Sequence, residues 1–213
     1  TGTTTVSAGT LLISHNTGLG STAGGTTVNS GATLDLRNTT YYTDSSSSYV
    51  YEALTLAGGT ITASTGSSTW YGAVTLGDHS TIAAASGASL SISGVISGAY
   101  NLTKSDAGTV TLSAANLYGG TTSITNGTLR ATNATALGPV NSSVVTVGSN
   151  GTLDISATIG TKPVALNGGI KLAFVVPALG NIELCGSSSR VPGIFGQPTC
   201  TSFTEAAPSL QKM

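Results

Sequence analysis

Charge is what this chain has least of. Lys, Arg, Asp and Glu make up 7% of 213 residues and the formal net charge is −1, against roughly 25% charged residues in an ordinary globular domain. That excludes nucleic acid as a partner, because gripping a polyphosphate takes a cationic footprint, whereas Lys104, Arg130, Lys162 and Lys171 lie scattered along the chain. Long apolar runs are missing too. Gly169–Gly180 is the most apolar stretch, but it is short and broken by Pro177, and a bilayer span needs about 20 consecutive apolar residues. No membrane insertion of this segment is expected. With two cysteines and two histidines in the whole chain, a disulfide-dense scaffold and a cysteine-rich metal site are excluded. Disorder is excluded from the other side, since 39% of the residues are hydrophobic, too many for a chain that cannot collapse.

What is abundant is Thr, Ser and Gly, the last at 29 positions. They are arranged in a phrase that returns seven times: a β-branched residue or Leu, a few small residues containing Gly, then Thr or an apolar residue opening a new strand. The copies are Val6–Thr10, Val28–Ala32, Leu56–Thr60, Leu76–Thr81, Ile124–Thr128, Val147–Thr152 and Leu166–Ile170. Several neighbours sit roughly 19–28 residues apart, the repeat range of solenoids. One strand–bend–strand unit cannot bury its apolar face alone, but a stack can. Between the bends, short segments such as Thr10–Ile13, Thr60–Ala63 and Thr109–Ser113 alternate apolar residues with Thr or Ser, the period-two pattern of strands with one buried face.

Recurrence at whole-rung spacing places each copy above the last, in parallel, rather than folding neighbours into hairpins. The expected fold is therefore all-β: a parallel β-helix (β-solenoid) of about eight rungs over residues 1–174, followed by a non-repeating C-terminal cap or docking tail over 175–213. No helix is expected beyond a turn or two around Ala131–Leu137. Asn29, Asn126, Asn150 and Asn167 recur at bends, where they either stack into ladders or take up left-handed backbone; the second is favoured. The segment 38–51 (Asn-Thr-Thr-Tyr-Tyr-Thr-Asp-Ser-Ser-Ser-Ser-Tyr-Val-Tyr) interrupts the rhythm as an inserted Tyr/Ser-rich loop. The opening Thr1–Val6 already belongs to a rung, so the chain is read as a mature product or a piece of a longer one.

Within Ser97–Gly138 the run from Asn101 to Arg130, Asn-Leu-Thr-Lys-Ser-Asp-Ala-Gly-Thr-Val-Thr-Leu-Ser-Ala-Ala-Asn-Leu-Tyr-Gly-Gly-Thr-Thr-Ser-Ile-Thr-Asn-Gly-Thr-Leu-Arg, resembles the autotransporter-associated β-strand repeat. That family's core runs Leu-Thr-Lys, Gly-Thr-Leu, Leu-Ser-Gly, Asn-x-Tyr-x-Gly-Gly-Thr, then Val-x-x-Gly-Thr-Leu. Here Ser105-Asp106 replaces the first Gly region, Ala114 a Gly and Leu117 a common Thr. Thr1–Asn16 resembles the second half of another copy. The resemblance covers about 40 residues strongly, the rest of 1–174 by half-repeat, and the tail not at all. It implies a right-handed parallel β-helix in a passenger domain secreted by a bacterium or held on its surface, with structural, adhesive or biofilm roles.

Candidate chemistry is sparse. The acids Asp35, Asp44, Asp78, Asp106, Asp154, Glu52, Glu183 and Glu205 are dispersed about one per rung or loop, where hydrolysis needs convergent carboxylates. His15 and His79 are each beside a bend, and zinc wants three or four converging ligands. No catalytic residue, cofactor site or metal site is assigned, and no enzyme is expected. The candidate binding surface is aromatic: Tyr41, Tyr42, Tyr49 and Tyr51 in the inserted loop, with Trp70 and Tyr71 a rung later. Rings with polar tips suit interfaces and stack on sugars, unless they only cover the insertion's own edge. Cys185 and Cys200, an even count in an exported chain, point to one disulfide; two free thiols are the alternative. The expected function is a non-enzymatic extracellular fibre or adhesin, with homotypic end-to-end contacts or surface glycans and receptors as partners. A carbohydrate- or receptor-binding module on the Tyr-rich loop is the alternative, and a polysaccharide-cleaving β-helix the more distant one.

Overall fold

The computed structural model describes residues 2–20, 24–41, 52–139, 143–157 and 162–167, with the backbone alone for Thr40–Tyr41, Leu172–Phe174, Ile182–Gly186 and Cys200–Phe203. The chain coils into a β-solenoid whose turns lay successive short strands on up to three faces. The first face stacks Thr4–Val6, Thr26–Asn29, Leu54–Ala57, Val74–Leu76 and Ile96–Ser97. The second stacks Thr10–Ile13, Thr33–Arg37, Thr60–Thr65, Ser80–Ala84, Leu102–Ser105, the leading halves of Thr122–Ala131 and Val145–Ile155, then Val164–Leu166 and Ile182–Gly186. The third stacks Thr40–Tyr41, Ser67–Trp70, Ser89–Ile92, Thr109–Leu112, the trailing halves of those two long strands, and Leu172–Phe174. Every one of these contacts is parallel.

Eight strands stack on the second face before residue 175, from Thr10–Ile13 to Val164–Leu166. After Leu102–Ser105 the rungs place no strand on the first face among the described residues and cross it as irregular bends. Those bends still stack: the Leu117 N–H donates to the Ile96 carbonyl at 2.8 Å and the Gly119 N–H to that of Gly98 at 2.9 Å. Around Ala131–Leu137 the chain makes hydrogen-bonded turns, Ala136 N–H to Asn133 and Gly138 N–H to Thr135. Thr40–Tyr41, inside the segment read as an insertion, pairs with Thr69–Trp70 as a third-face strand.

Register explains the core. On the second face Leu11, Leu34, Ile61, Ile82, Lys104, Ile124, Val147 and Leu166 are successive partners; on the third, Trp70, Ile92, Leu112, Ala131 and Ile155 are. Because the side-chain period is two, each column faces inward as a whole. Each buried Leu or Ile contributes about 1.5–3 kcal/mol relative to exposure, and the column repeats that gain rung after rung.

The bends are glycine positions for two separate reasons. Gly94 stacks so closely on the rung before it that a Cβ would overlap the carbonyl oxygen of Gly72. Gly127 sits at φ 67°, the left-handed region an L side chain avoids. The expectation that bend asparagines take up that region is not met. Among the described residues Asn38 (φ 50°) and Asp106 (φ 61°) are the non-glycine residues with positive φ, and Gly31 and Gly127 take it at their bends. Asn126 instead lies in register with Asn150 and accepts a hydrogen bond on Oδ1 from the Gly127 N–H at 2.8 Å.

Candidate binding surface

The alternation that fills the core also writes the outside. Thr10, Thr33, Thr60, Thr81, Thr103, Ser123 and Thr146 are register partners up the second face. On the third face one outward column reads Ser67, Ser89, Thr109, Thr128, Thr152 and the next Thr69, Ser91, Thr111, Arg130, Asp154. Parallel strands lie about 4.8 Å apart, so hydroxyls recur at that interval, close enough to bond across rungs. Ser89 Oγ donates to Ser67 Oγ at 2.9 Å and Ser113 Oγ to Ser93 Oγ at 3.3 Å. Where charge interrupts the hydroxyls it cancels locally: Arg130 Nε meets Asp154 Oδ2 at 2.6 Å, and Arg37 Nε meets Asp35 Oδ2 at 3.1 Å.

Of the aromatic residues singled out in the sequence, Trp70 and Tyr71 have described side chains, and the two part company. Trp70 is fully buried in the core cluster, a correction to its expected place on a binding face. In Ser67–Trp70 the residues at 68 and 70 point inward, so Trp70 occupies an interior slot while Tyr71 emerges 38% exposed. Tyr41 is placed by its backbone opposite Trp70. Tyr42, Tyr49 and Tyr51 lie outside the described residues. Exposed apolar side chains that were not read as a binding surface include Leu117 (64% exposed), Leu12, Val95, Tyr100 and Val144. Tyr100 packs edge-on against His79, ring centroids 5.6 Å apart.

Each described carboxylate has its own local setting. Asp35 accepts from the Ser64 N–H and hydroxyl, at 3.0 and 2.7 Å, and from Arg37. Asp78 accepts from the His79 N–H at 2.7 Å. Asp106 forms a bend, Asp154 holds Arg130, and buried Glu52 accepts from the Thr26 hydroxyl at 2.8 Å. Burial pushes the Glu52 carboxyl above its ordinary range, and the Thr26 bond pulls the other way; its Oε2 has no hydrogen-bond partner among the described residues. His15 Nδ1 is shared with Thr17, and His79 Nδ1 accepts from the Asn101 N–H at 3.1 Å. Asp44, Glu205 and the Glu183 side chain lie outside the described residues.

The polar groups that matter most inside the coil were not singled out by sequence. Lys104 is fully buried in the aliphatic column between Ile82 and Ile124. Its ammonium donates to the carbonyls of Ser105, Asp106 (2.6 Å) and Asn126 (3.0 Å), fastening one bend to the next. Burial lowers its pKa to about 8, with the Asp106 charge opposing. Lys162, also buried and also lowered by desolvation, donates to the Pro139 carbonyl and the Ser143 hydroxyl. Asn116 spans three rungs, accepting from the Ile96 N–H at 2.8 Å and donating to the Ala136 carbonyl at 2.7 Å. Tyr118 is buried with its hydroxyl 2.7 Å from that of Thr122, and burial raises its pKa. Strict alternation from Leu102 already turns Lys104 inward.

Fold and surface together define a parallel β-solenoid with a hydroxyl-rich, charge-poor exterior. The family model described as the passenger-associated-transport-repeat matches residues 1–13 and 102–131, and the longer of the two segments falls on the run, Asn101–Arg130, that resembles the autotransporter-associated repeat. The longer match includes the strands Leu102–Ser105, Thr109–Leu112 and Thr122–Ala131, and with them Lys104, Asn116 and Tyr118. No curated protein and no solved structure matches the chain.

Proposed function

We propose that this chain is a stretch of passenger-type β-solenoid, secreted or displayed on a bacterial surface, whose work is structural and adhesive rather than catalytic. The observation that carries this is the allocation of polar groups. Buried ones fasten rung to rung, through Lys104 and Asn116, and outward ones form continuous hydroxyl columns, a surface that extends with length. The passenger repeat supports the same direction. In this reading rods associate in a fibre or matrix through homotypic contacts, including end-to-end pairing of rung edges, since an unpaired strand edge templates another strand. A second reading, in which the aromatic loop binds glycans or receptors, draws support from Tyr71, exposed next to the register pair Tyr41 and Trp70.

Electron microscopy of purified protein, beside adhesion assays on cells displaying it, tests the pair. Filaments or side-by-side bundles, with adhesion lost when display is lost, support the first reading. A monodisperse protein whose glycan binding falls on Tyr41→Ala or Tyr71→Ala selects the second. Turnover of a polysaccharide, abolished by a single Asp→Asn change, defeats both.

A further inference from the structure

The parallel ladder of the second face reverses once among the described residues. Ile182–Gly186 continues it by pairing in parallel with Val164–Leu166, and Cys200–Phe203 then lies antiparallel against Ile182–Gly186. In that antiparallel pair Cys185 stands directly opposite Cys200, and these are the chain's only cysteines. Residues directly opposed across antiparallel strands share one face of the sheet, with Cα atoms about 4.5–5.5 Å apart, inside the roughly 4.4–6.8 Å that a disulfide spans.

We propose that Cys185 and Cys200 form a cross-strand disulfide that fixes the register of this reversal and keeps the terminal strand on the ladder. A two-residue turn sets the register of a hairpin by its own geometry, but here residues 187–199 separate the two strands, too many to do so. A slip of one residue would exchange the two faces of the added strand; a covalent bond between the opposed cysteines forbids the slip. Formation is a thiol–disulfide exchange with a disulfide oxidant, such as glutathione disulfide or an exported oxidoreductase. One thiolate attacks the oxidant's sulfur to give a mixed disulfide, the second displaces it, and the two electrons leave as two reduced thiols of the oxidant. The inference does not depend on adhesion, and its test reads the bond itself.

The test uses the full chain equilibrated with oxidised glutathione, alkylated, denatured and cut with trypsin. Cleavage after Lys171, Arg190 and Lys212 puts Cys185 in residues 172–190 and Cys200 in residues 191–212, so the bond appears as one linked peptide pair that separates on reduction. That pair, in protein migrating as a monomer without reductant, is the expected result. Both cysteines alkylated, or a disulfide-linked dimer, overturns the proposal. Hydrogen exchange gives the second readout. Closing a loop of about 15 residues makes opening of the linked hairpin on the order of a hundredfold rarer. Reduction, or the paired change Cys185→Ser and Cys200→Ser, should accelerate exchange in 182–186 and 200–203 by that order and leave 102–131 unchanged. Equal protection with and without the bond would also refute it.

Discussion

Ile82 and Lys104 occupy the same slot one rung apart, and the coil fills it in opposite ways. Both are register partners in the inward column of the second face, and both are buried. At Ile82 the following bend keeps its carbonyls for the backbone: those of Ala84, Ala85 and Ala88 accept from Gly108, Ala88 and Thr109 N–H groups. At Lys104 the bend runs through Asp106 at φ 61°, and three carbonyl oxygens converge on one ammonium. The lesson is that the column does not select hydrophobicity as such. It selects whatever satisfies the bend beside it, since a buried ammonium is costly unless each of its protons finds an acceptor.

Moving the lysine one rung breaks the comparison most severely. Ile82→Lys meets carbonyls already engaged and should cost about 4 kcal/mol or more, read as a collapse of the urea unfolding midpoint; a small loss would mean the column accommodates charge anywhere. Next comes Lys104→Met, which keeps the volume but strands the carbonyls of Ser105, Asp106 and Asn126, at about 1–3 kcal/mol. A Met variant as stable as the parent would show that the ammonium is merely tolerated.

The lysine's titration sharpens the same contrast. The folded state releases the Lys104 proton near pH 8, while the unfolded chain holds it to the ordinary value of 10.5. The unfolded state therefore binds more protons in that window, and stability contributed through this group rises with pH. Measured from about pH 7 to about pH 9.5, the unfolding free energy of the parent should climb relative to that of Lys104→Met, the difference between the two proteins cancelling Lys162 and every other shared group. A constant or opposite difference would contradict the assigned burial. The smallest effect belongs outside: Ser89→Ala removes the 2.9 Å bond to Ser67 on a solvated face and should change stability by less than about 0.5 kcal/mol.

Much of the fold was legible because it is written in two periods. Alternation of two set which residues face in, and Thr60 and Thr81 fall in register as the recurring bend phrase implied. But the phrase stacks at two corners, its copies from Val6–Thr10 to Leu76–Thr81 joining the first face to the second and Ile124–Thr128 and Val147–Thr152 joining the second to the third. Spacing could not tell a rung with strands on all three faces from one that crosses the first face as a bend, as the rungs after Leu102–Ser105 do. The surface was less legible. Trp70 looked like a binding residue by type, yet its phase in Ser67–Trp70 puts it inside. Lys104 counted only as one of a few scattered charges, yet the same phase turns it inward. In both cases residue chemistry was weighed ahead of position, and in a solenoid position decides. How Asn116 bonds to Ile96 and Ala136 at once depends on which bends meet in space, and no single repeat contains that.

The central claim is that successive bends lie over one another along a rod, and distances up the second-face threonine column test it directly. Spin labels paired with Thr146→Cys at Thr60→Cys, Thr33→Cys and Thr10→Cys, in a background carrying Cys185→Ser and Cys200→Ser, sample four, five and six rung steps. Backbone separations of about 19, 24 and 29 Å, growing by one strand spacing per step, are expected. Distances that fail to grow from Thr60 to Thr10 would mean the strands fold back on one another, and the solenoid with everything argued from it would fall.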